Sequence, residues 1–329
     1  MNRRSFIRGL APASVLASLH GCNGIDRPPE APVQAPSLTR VVLGGDVMLS
    51  RYVGTLARRH KDPAWSFRDL APTLSAADIA FVNLESPFSD RDPIADSRMI
   101  FRAEGEMIQG LKLAGIDVVS TANNHARDCG SYGVSYTLEW LRRHGIAVAG
   151  SAESPAAVRR GAVLERNGVR FGFLAYTYDQ SNGNHVLPDE RIAVLDVDRM
   201  QEDVRCLRQD AGVVIVSMHA GDEYRQKPNS QQVQFARAAI DAGASVVAGH
   251  HPHVAQPLEQ YNGGIIFYSL GNLIFDQFQR KETQQGLLAE VTFAGTVLEN
   301  YRVALVEIRR TVPRLASAVL SAVRASKIG

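Results

Sequence analysis

Three histidines fall within four positions of this chain, in the run Gly249-His250-His251-Pro252-His253. Neutral imidazole is a common ligand of zinc and of other first-row transition metals. Alternate side chains of an extended segment lie on the same side, so His251 and His253 are expected to point the same way around Pro252. Few structural roles need three histidines so close together, and the run therefore favours a metal site.

Carboxylate, amide and imidazole side chains also follow the other predicted strands. Asp46 follows a first apolar run, Asn83 and Glu85 close a second, Asn124 and His125 follow a third, His219 and Glu223 follow a later run, and Asn272 follows a late hairpin. Open α/β sheets place their chemistry just beyond the carboxyl ends of the strands, so these side chains are expected to meet. Taken singly, each has an ordinary explanation, such as a helix cap for Asp46 or a turn for Asn124. Together they form a ligand set suited to Zn, Mn or Fe.

Short apolar runs and helical periodicities alternate along the chain and supply the elements that must carry these motifs. They predict strands at 40–44, 79–84, 117–120, 146–149, 213–218 and 245–248, hairpins at 163–176, 258–269 and 287–308, and helices at 52–60, 105–114, 132–144, 198–209 and 230–242. Asn167-Gly168 and Asn262-Gly263 are sequences typical of tight hairpin turns. The last stretch, 312–328, has helical spacing and is expected to be a surface helix. The early part is thus βαβ-like, and the later part mixes hairpins with helices in the same domain.

The composition excludes several classes of protein. Of the 329 residues, 45% are hydrophobic, which is ordinary for a folded chain and argues against disorder. The sequence has no run of about 18 apolar residues, so a polytopic membrane protein is not expected. The 36 basic and 34 acidic residues leave a formal charge of +2, which offers no support for binding to nucleic acid. Three cysteines are too few for a disulfide scaffold in a chain of this length.

The first 21 residues have the features of an export signal. Residues 2–8 resemble a twin-arginine signal, and Leu19-His20-Gly21-Cys22 resembles a lipobox in which Cys22 becomes a lipidated N-terminus. A nearby cut without lipid, or a cytoplasmic amphipathic N-terminus, are the alternatives. The proline-rich residues 22–39 are interpreted as a tether and 40–329 as the folded domain. The protein is therefore expected in the periplasm or cell envelope, held on the membrane by its lipid.

The order of the motifs resembles that of the CapA family, which is linked to capsule and poly-γ-glutamate synthesis. The matching segments are Gly45-Asp46, Asn83-x-Glu85, Asn123-Asn124-His125, His219-x-Gly221-x-Glu223-Tyr224, Gly249-His250-His251-Pro252-His253 and Ser269-Leu270-Gly271-Asn272. The resemblance runs from about Arg40 to Ile308, which is most of the predicted domain. The family is similar to a divergent branch of the calcineurin-like metallophosphoesterases. The resemblance implies an α/β, four-layer sandwich of two mixed β-sheets flanked by helices, with a metal centre at the strand ends.

The resemblance also implies a role for individual residues. The metal ligands would be Asp46, Glu85, Asn124, His219, His251 and His253. His125 matches a histidine that lies near the leaving group. Met48 stands where phosphoesterases carry a further histidine, and a thioether is a poor ligand for a hard divalent cation. The expected cofactor is therefore one or two divalent ions, Mn, Fe or Zn.

A metal-dependent hydrolase is the function that this ligand set favours, since a bound cation lowers the pKa of a water molecule. The candidate catalytic acids or bases are His125 and Glu223, and weaker candidates for substrate contact are Asn83, His250 and Asn272. The substrate would be a phosphoester or an amide-linked anionic polymer. Two alternatives stay open: an accessory, polymer-binding component of a capsule synthesis and export complex, and a structural lipoprotein with a relic site.

Overall fold

The computed structural model describes residues 37–92, 99–178 and 189–324, with side chains described as far as residue 316. The predicted export signal, Cys22 and residues 22–36 of the predicted tether lie outside the described residues. The first strand begins at Leu38, two residues before the predicted domain boundary. Within the described ranges, no helix is long and apolar enough to cross a membrane.

The described part of the chain forms strands and helices that alternate in its first half. The strands are β1 (Leu38–Val47), β2 (Ile79–Leu84), β3 (Val118–Ser120), β4 (Ala147–Ala149), β5 (Ala162–Arg166), β6 (Val169–Thr177), β7 (Val213–His219), β8 (Val246–His250), β9 (Leu258–Tyr261), β10 (Gly264–Phe267), β11 (Asn272–Ile274), β12 (Gln285–Ala294), β13 (Val297–Arg309) and β14 (Val312–Arg324). The helices are α1 (Arg51–His60), α2 (Ala71–Leu74), α3 (Ile108–Leu113), α4 (Gly130–Arg143), α5 (Pro155–Val158), α6 (Val197–Asp210) and α7 (Ser230–Asp241).

These strands build two mixed sheets. The first has the order β14-β13-β12-β1-β2-β3-β4, with β11 also paired to β1. Its strands β1 to β4 are parallel, whereas β12 is antiparallel to β1. The second sheet has the order β5-β6-β7-β8-β10-β9, in which β6, β7, β8 and β10 are parallel. Each sheet therefore has a parallel centre whose carboxyl ends can present functional side chains.

Apolar side chains hold the sheets and helices in four layers. Between the sheets, the rings of Phe81 in β2 and Phe173 in β6 stack with centroids 5.9 Å apart in one buried cluster. On the outer face of the first sheet, helices α1 and α3 pack over a second cluster that includes Leu111. Helices α6 and α7 cover the outer face of the second sheet, with Phe235 in a third cluster. Each such side chain contributes about 1.5–3 kcal/mol when it is fully buried. The expected sandwich of two mixed sheets flanked by helices is confirmed.

The predicted C-terminal helix at 312–328 is wrong, because residues 312–324 form the strand β14 and the rest of the segment lies outside the described residues. Arg310 and Thr311 both have positive φ, 49° and 69°, and close a tight hairpin between β13 and β14. Such turns match the twist of antiparallel strands. The long strand β13 would otherwise expose its backbone groups at the sheet edge, and pairing with β14 satisfies them. That tertiary pairing outweighs a helical spacing built from small and aliphatic residues.

The other predicted hairpins form at their expected turns. Asn167 and Gly168 have φ of 52° and 77° between β5 and β6, and Asn262 and Gly263 have φ of 44° and 80° between β9 and β10. Asparagine and glycine tolerate this left-handed backbone region, which is why the turn could be predicted.

Candidate metal centre

The polar motifs converge because the strands that carry them are neighbours. In the strand register, Asp46 of β1 lies opposite both Asn83 of β2 and Asn272 of β11. In the second sheet, His219 at the end of β7 lies opposite His250 of β8. The segments that follow β2 and β8 add Glu85, His251 and His253. One edge of the sandwich thus gathers residues from both sheets.

A close contact between two backbones sets the position of Asp46. Its backbone N–H donates a hydrogen bond to the carbonyl oxygen of Gly271 at 2.9 Å. A Cβ atom on the preceding residue, Gly45, would lie 1.9 Å from that same oxygen. Only glycine fits there, so the Gly-Asp pair of the sequence motif is a requirement of packing at this edge of the sheet.

Two triads of potential metal ligands share one glutamate. Glu85, His219 and His251 form one triad, and Asp46, Glu85 and His253 form the other, with the donor atoms of each triad within 4.8 Å of one another. The Oε1 atom of Glu85 lies 3.8 Å from the Nε2 atoms of both His219 and His253. The spacing leaves the carboxylate between two groups of imidazoles, and it suits one or two ions.

Glu85 is the observation that tests whether a cation fits. Its side chain is fully buried, and neither carboxylate oxygen has a hydrogen-bond partner among the described residues. Burial raises the pKa of Glu85 well above its ordinary value, and the negative charges of Asp46 and Glu223 raise it further. A buried carboxylate without a partner is costly unless a cation compensates it. The residues present therefore fit a divalent metal ion.

Asp46 is held ionised at the centre of the site. Burial raises the pKa of Asp46, but the contacts and charges of His250 and His253 outweigh burial and hold it well below its usual range. Oδ2 accepts from the backbone N–H of His251 at 3.2 Å, and Oδ1 accepts from the amide of Asn83 at 2.9 Å. A carboxylate fixed in this way is pre-oriented to bind a cation.

His219 and His251 face each other with their ring nitrogens. Nε2 of His219 lies 3.2 Å from Nδ1 of His251 and 2.9 Å from Oδ1 of Asn124. Burial lowers the pKa of His251 to about 3, with the charge of His253 adding to the effect, and burial also lowers the pKa of His219 well below its usual value. Both imidazoles are therefore neutral at pH 7 and keep lone pairs for a metal.

The backbone that follows β8 has unusual φ angles at the residues that carry the candidate metal ligands. His251 and His253 have positive φ, 96° and 57°. Residues other than glycine seldom adopt this region, and where they do the surrounding structure must hold them in place. The expectation that an extended segment would aim both rings the same way is replaced by this twisted loop, which nonetheless buries both side chains in the site.

Asn83, His250 and Asn272 lie behind the ligands. All three are fully buried. Asn83 contacts both Asp46 and Nδ1 of His219, at 2.9 and 3.2 Å. Oδ1 of Asn272 lies 3.0 Å from Nδ1 of His253, which leaves Nε2 of that ring directed at Glu85. The geometry favours orientation of the ligands by these residues over the substrate contact that the sequence predicted.

His250 has a different environment from the other two histidines of its run. Its Nδ1 lies 3.3 Å from Oδ1 of Asp46 but lacks the alignment of a hydrogen bond, and its Nε2 has no partner among the described residues. Its ring lies 6.1 Å from that of Phe81, in the apolar layer between the sheets. His250 therefore supports Asp46 from behind and contributes no atom to either triad.

His125 belongs to a dyad that the sequence analysis missed. Its Nδ1 lies 2.7 Å from Oδ2 of Asp128, and its ring stacks on Phe101 at 3.7 Å. Since a carboxylate only accepts, Nδ1 carries a proton and donates the hydrogen bond to Asp128. The sequence feature that indicates this dyad is the aspartate three residues after the histidine, on the same loop.

A cleft of about 470 Å³ opens beside this site. Its described lining includes Asn124, His125, Tyr178, Asp222, Glu223 and His251. Glu223 is exposed at the rim, so it does not join the triads, although its negative charge reaches Glu85. The cleft gives a substrate access to His125 and to the ligand face of His251.

Met48 is turned away from any role as a ligand. Its side chain is fully buried in the cluster beneath α1, and its sulfur accepts from the backbone N–H and the hydroxyl of Ser50 at 3.2 and 3.0 Å. The position at which phosphoesterases place a histidine is thus occupied by a core residue. Any ion held by Asp46, Glu85 and His253 lacks that additional ligand.

A family model described as "Bacterial capsule synthesis protein PGA_cap" matches residues 40–277, the segment that contains every ligand candidate above. The chain belongs to this capsule synthesis family. Its sequence is similar to the PGA biosynthesis protein CapA of Bacillus subtilis, with 31% identity over 274 residues that cover 82% of this chain and 71% of the relative. The expected resemblance to the CapA family is confirmed.

Two further proteins share this family's sequence or architecture. The capsule biosynthesis protein CapA of Bacillus anthracis is 34% identical over 247 residues, which cover 71% of this chain and 59% of that relative. A crystal structure of a hypothetical protein from Thermus thermophilus matches with a TM-score of 0.52 and 16% identity, covering 82% of this chain and 100% of that one. The structural likeness concerns the fold alone.

Proposed function

We propose that this member of the capsule synthesis family is a metal-dependent hydrolase acting on a cell-surface polymer such as poly-γ-glutamate. The observation that carries the proposal is the shared glutamate of the two triads, Glu85, which is buried and has no hydrogen-bond partner among the described residues. The names of the two Bacillus relatives, which refer to PGA and capsule biosynthesis, support an anionic polymer as the substrate class.

The two triads, with Asn124 beside them, would hold the cofactor. One or two divalent ions, Mn, Fe or Zn, would lower the pKa of a water molecule toward neutrality and polarise the bond to be cleaved. The protein's own part is to keep Asp46 ionised and His219 and His251 neutral, which the pKa shifts of these groups favour. The carboxylates of Asp46 and Glu85 offset the cation charge.

His125 is the candidate general acid of this reaction. It lines the cleft, and its Nδ1–H donates to Asp128; with a proton on both ring nitrogens, the Nε2–H would give its proton to the departing oxygen or nitrogen and leave the neutral ring bonded to Asp128. Stacking on Phe101 restricts the rotation of the ring, which keeps that nitrogen in place. Glu223, exposed at the rim of the same cleft, is a second candidate acid or base.

Metal analysis combined with turnover tests the proposal. The purified full-length chain is expected to retain Mn, Fe or Zn and to cleave a γ-glutamyl peptide or a phosphodiester. The His125→Ala variant should keep its metal and lose turnover, whereas His251→Ala should lose both. Absence of bound metal in a folded protein, or normal turnover in His125→Ala, would contradict the assignment.

An accessory protein that binds polymer within a capsule synthesis complex is a second candidate. The observation that favours it is the burial of Met48, whose sulfur is engaged by Ser50 and so leaves one ion position short of a ligand. Bound metal without turnover, together with membrane proteins that co-purify with the chain, would favour this candidate over the hydrolase.

We also propose that the protein is exported through residues 1–21 and anchored by a lipid on Cys22. The arginine pair Arg3-Arg4 and the run Leu19-His20-Gly21-Cys22 support this proposal. Metabolic labelling with palmitate should mark the wild-type chain and not Cys22→Ser. Replacement of both arginines by lysine should retain the chain in the cytoplasm, and unchanged export of that variant would contradict a twin-arginine route.

A further inference from the structure

A second groove, separate from the cleft, lies near the metal centre. It has a volume of about 530 Å³ and is lined by Tyr52, Phe278, Gln284 and Arg310. Tyr52 and Phe278 are 41% and 42% exposed, and their rings meet edge to face at 5.9 Å. The two rings in contact form one apolar patch on the groove wall, and no residue of either metal triad lines this groove.

The groove is connected to the metal centre through packed side chains. The ring of Phe275 lies 4.7 Å from that of His253, and Phe278 follows three residues later. The carboxylate of Asp276, between them, accepts from the backbone N–H of Tyr52 at 3.1 Å. Three residues of extended chain span at most about 11 Å, so the two sites are close enough for one extended ligand to reach both.

The loop that carries Phe278 is held in place by buried contacts. The hydroxyl of Thr283 donates to the carbonyl oxygens of Gln277 and Arg280, both at 2.9 Å. The amide of Asn272, which also contacts His253, donates to the carbonyl oxygen of Thr283 at 2.9 Å. Asn272, which orients His253, therefore also holds the groove wall in place. A bound polymer chain would meet a preformed surface.

The charges around the two openings have opposite signs. Arg280, Lys281 and Arg310 are exposed, and none of them forms an ion pair within the described residues, whereas Glu282 is the one carboxylate of the loop 277–284. Asp276 is neutralised by Arg51. The described lining of the cleft, by contrast, carries the carboxylates of Asp222 and Glu223 and no lysine or arginine. The basic groups beside the groove attract a polyanion more strongly than the lining of the cleft does.

Arg280 bridges the space between the groove and the metal centre. Its guanidinium lies over the ring of Tyr224 at 4.9 Å, and that ring lies 6.4 Å from the ring of His253. Arg280 lies two residues after Phe278, so a carboxylate-bearing chain that runs from the metal centre to the groove would pass close to its guanidinium. Guanidinium groups bind carboxylates through paired hydrogen bonds.

We propose that the groove formed by Tyr52, Phe278, Gln284 and Arg310 binds a distal segment of a polycarboxylate chain whose other part lies at the metal centre. The inference rests on the proposed function, since it assigns the direction in which the polymer substrate runs. Methylene groups of a γ-glutamyl chain pack on Tyr52 and Phe278, its amides meet Gln284, and its carboxylates meet Arg280 and Arg310.

Binding of γ-glutamate oligomers of two lengths to the full-length, metal-loaded protein tests this assignment. A long oligomer should bind more tightly than a γ-glutamyl dipeptide, and the difference should shrink as salt is added. The double variant Phe278→Ala, Arg310→Gln should weaken long-chain binding roughly tenfold and leave the dipeptide unaffected. Both replaced side chains are exposed, and an unchanged thermal midpoint will verify folding.

A control variant removes one exposed apolar side chain and one exposed arginine elsewhere. Val297 is 64% exposed at the opposite end of the β12–β13 hairpin, and Arg205 is exposed on α6. The double variant Val297→Ala, Arg205→Gln should bind the long oligomer like the wild type. A second test variant, Arg310→Glu, should weaken long-chain binding further than Arg310→Gln.

Two results would overturn the inference. The first is equal affinity of the wild type and the groove variant for the long oligomer. The second is binding of polyphosphate of matched charge as tightly as the γ-glutamate oligomer, which would contradict the assignment to a polycarboxylate. Length-dependent binding without turnover would support the groove while the proposed hydrolysis fails. Turnover of the dipeptide with equal affinity for short and long oligomers would support the proposed hydrolase and contradict the proposed binding groove.

Discussion

Replacing Glu85 by glutamine should have opposite effects on the metal-free and the metal-loaded protein. The carboxylate is fully buried, and its oxygens have no hydrogen-bond partner among the described residues, so its pKa is raised by burial and by the charge of Asp46. Glutamine has nearly the shape of the protonated carboxyl and cannot ionise. The change therefore removes the cost of keeping an acid neutral, and it also removes the negative charge that a cation needs.

The size of the first effect follows from linkage. The folded state holds a proton that the unfolded chain, with the ordinary pKa of 4.5, releases as the pH rises. Stability is thus unaffected by this group below pH 4.5 and is lost progressively above it. Neutral pH lies about 2.5 units above that value at about 1.4 kcal/mol per unit, so Glu85→Gln should raise the free energy of unfolding by at most about 3.5 kcal/mol. Asp46 is present in both proteins, but its charge acts on Glu85, so the measured difference belongs to the interacting pair of carboxyl groups.

Urea unfolding in EDTA at pH 4 and pH 7 measures this difference. The variant should equal the wild type at pH 4 and exceed it at pH 7. With Mn or Zn at a hundred times the dissociation constant, the free energy of unfolding of the wild type should rise by about 2.7 kcal/mol, and that of the variant should not change. The stability difference between the two proteins should then become smaller or change sign. Glu299→Gln, an exposed carboxyl, serves as the control and should change neither measurement.

Two outcomes would refute the reasoning about Glu85. A variant that is less stable than the wild type in EDTA at pH 7 would mean that the carboxylate has a stabilising partner. A difference that is the same at pH 4 and pH 7 would mean that ionisation of this group does not determine it. Either result would remove the main support for a cation at this position.

Three further changes test other parts of the site. Asp128→Asn should reduce turnover about 10²-fold or more without loss of metal, because His125 loses the partner that sets its tautomer; unchanged turnover would exclude the dyad. Asn272→Ala should weaken metal affinity about 10–100-fold in a chelator competition, since it orients His253, and equal affinity would contradict that role. Gly45→Ala should destabilise the fold by about 3 kcal/mol or more in urea unfolding, because its Cβ would lie 1.9 Å from a carbonyl oxygen, and wild-type stability would contradict the observed packing.

Much of the fold followed from local signals. The strand at 79–84 was predicted with the bounds of β2, and the turns at Asn167-Gly168 and Asn262-Gly263 form where asparagine and glycine permit positive φ. The helix expected at 312–328 failed because pairing with β13 is a long-range interaction that spacing cannot reveal. Its residues are small and aliphatic, which suits either structure until an unpaired edge lies beside them.

The candidate site shows the same division. Side chains such as Asp46 and His219 could be proposed as ligands, because parallel strands present their carboxyl ends at a common edge. Their division into two triads around Glu85 could not be predicted, since it depends on distances between loops from both sheets. The roles of Asn272 and Asp128 were hidden for the same reason, as each acts through a neighbour.

The sequence by itself determined the chemical identity of this site: a set of carboxylates, amides and imidazoles at strand ends, in the order of the capsule synthesis family. Residue type and order along the chain suffice for that, because ligand preference is a property of the donor atoms. Only the tertiary structure decided which of the histidines face Glu85, which one lies behind Asp46, and that the cleft and the groove differ in charge. Those features depend on how two sheets pack against each other, and no single segment of the chain contains that information.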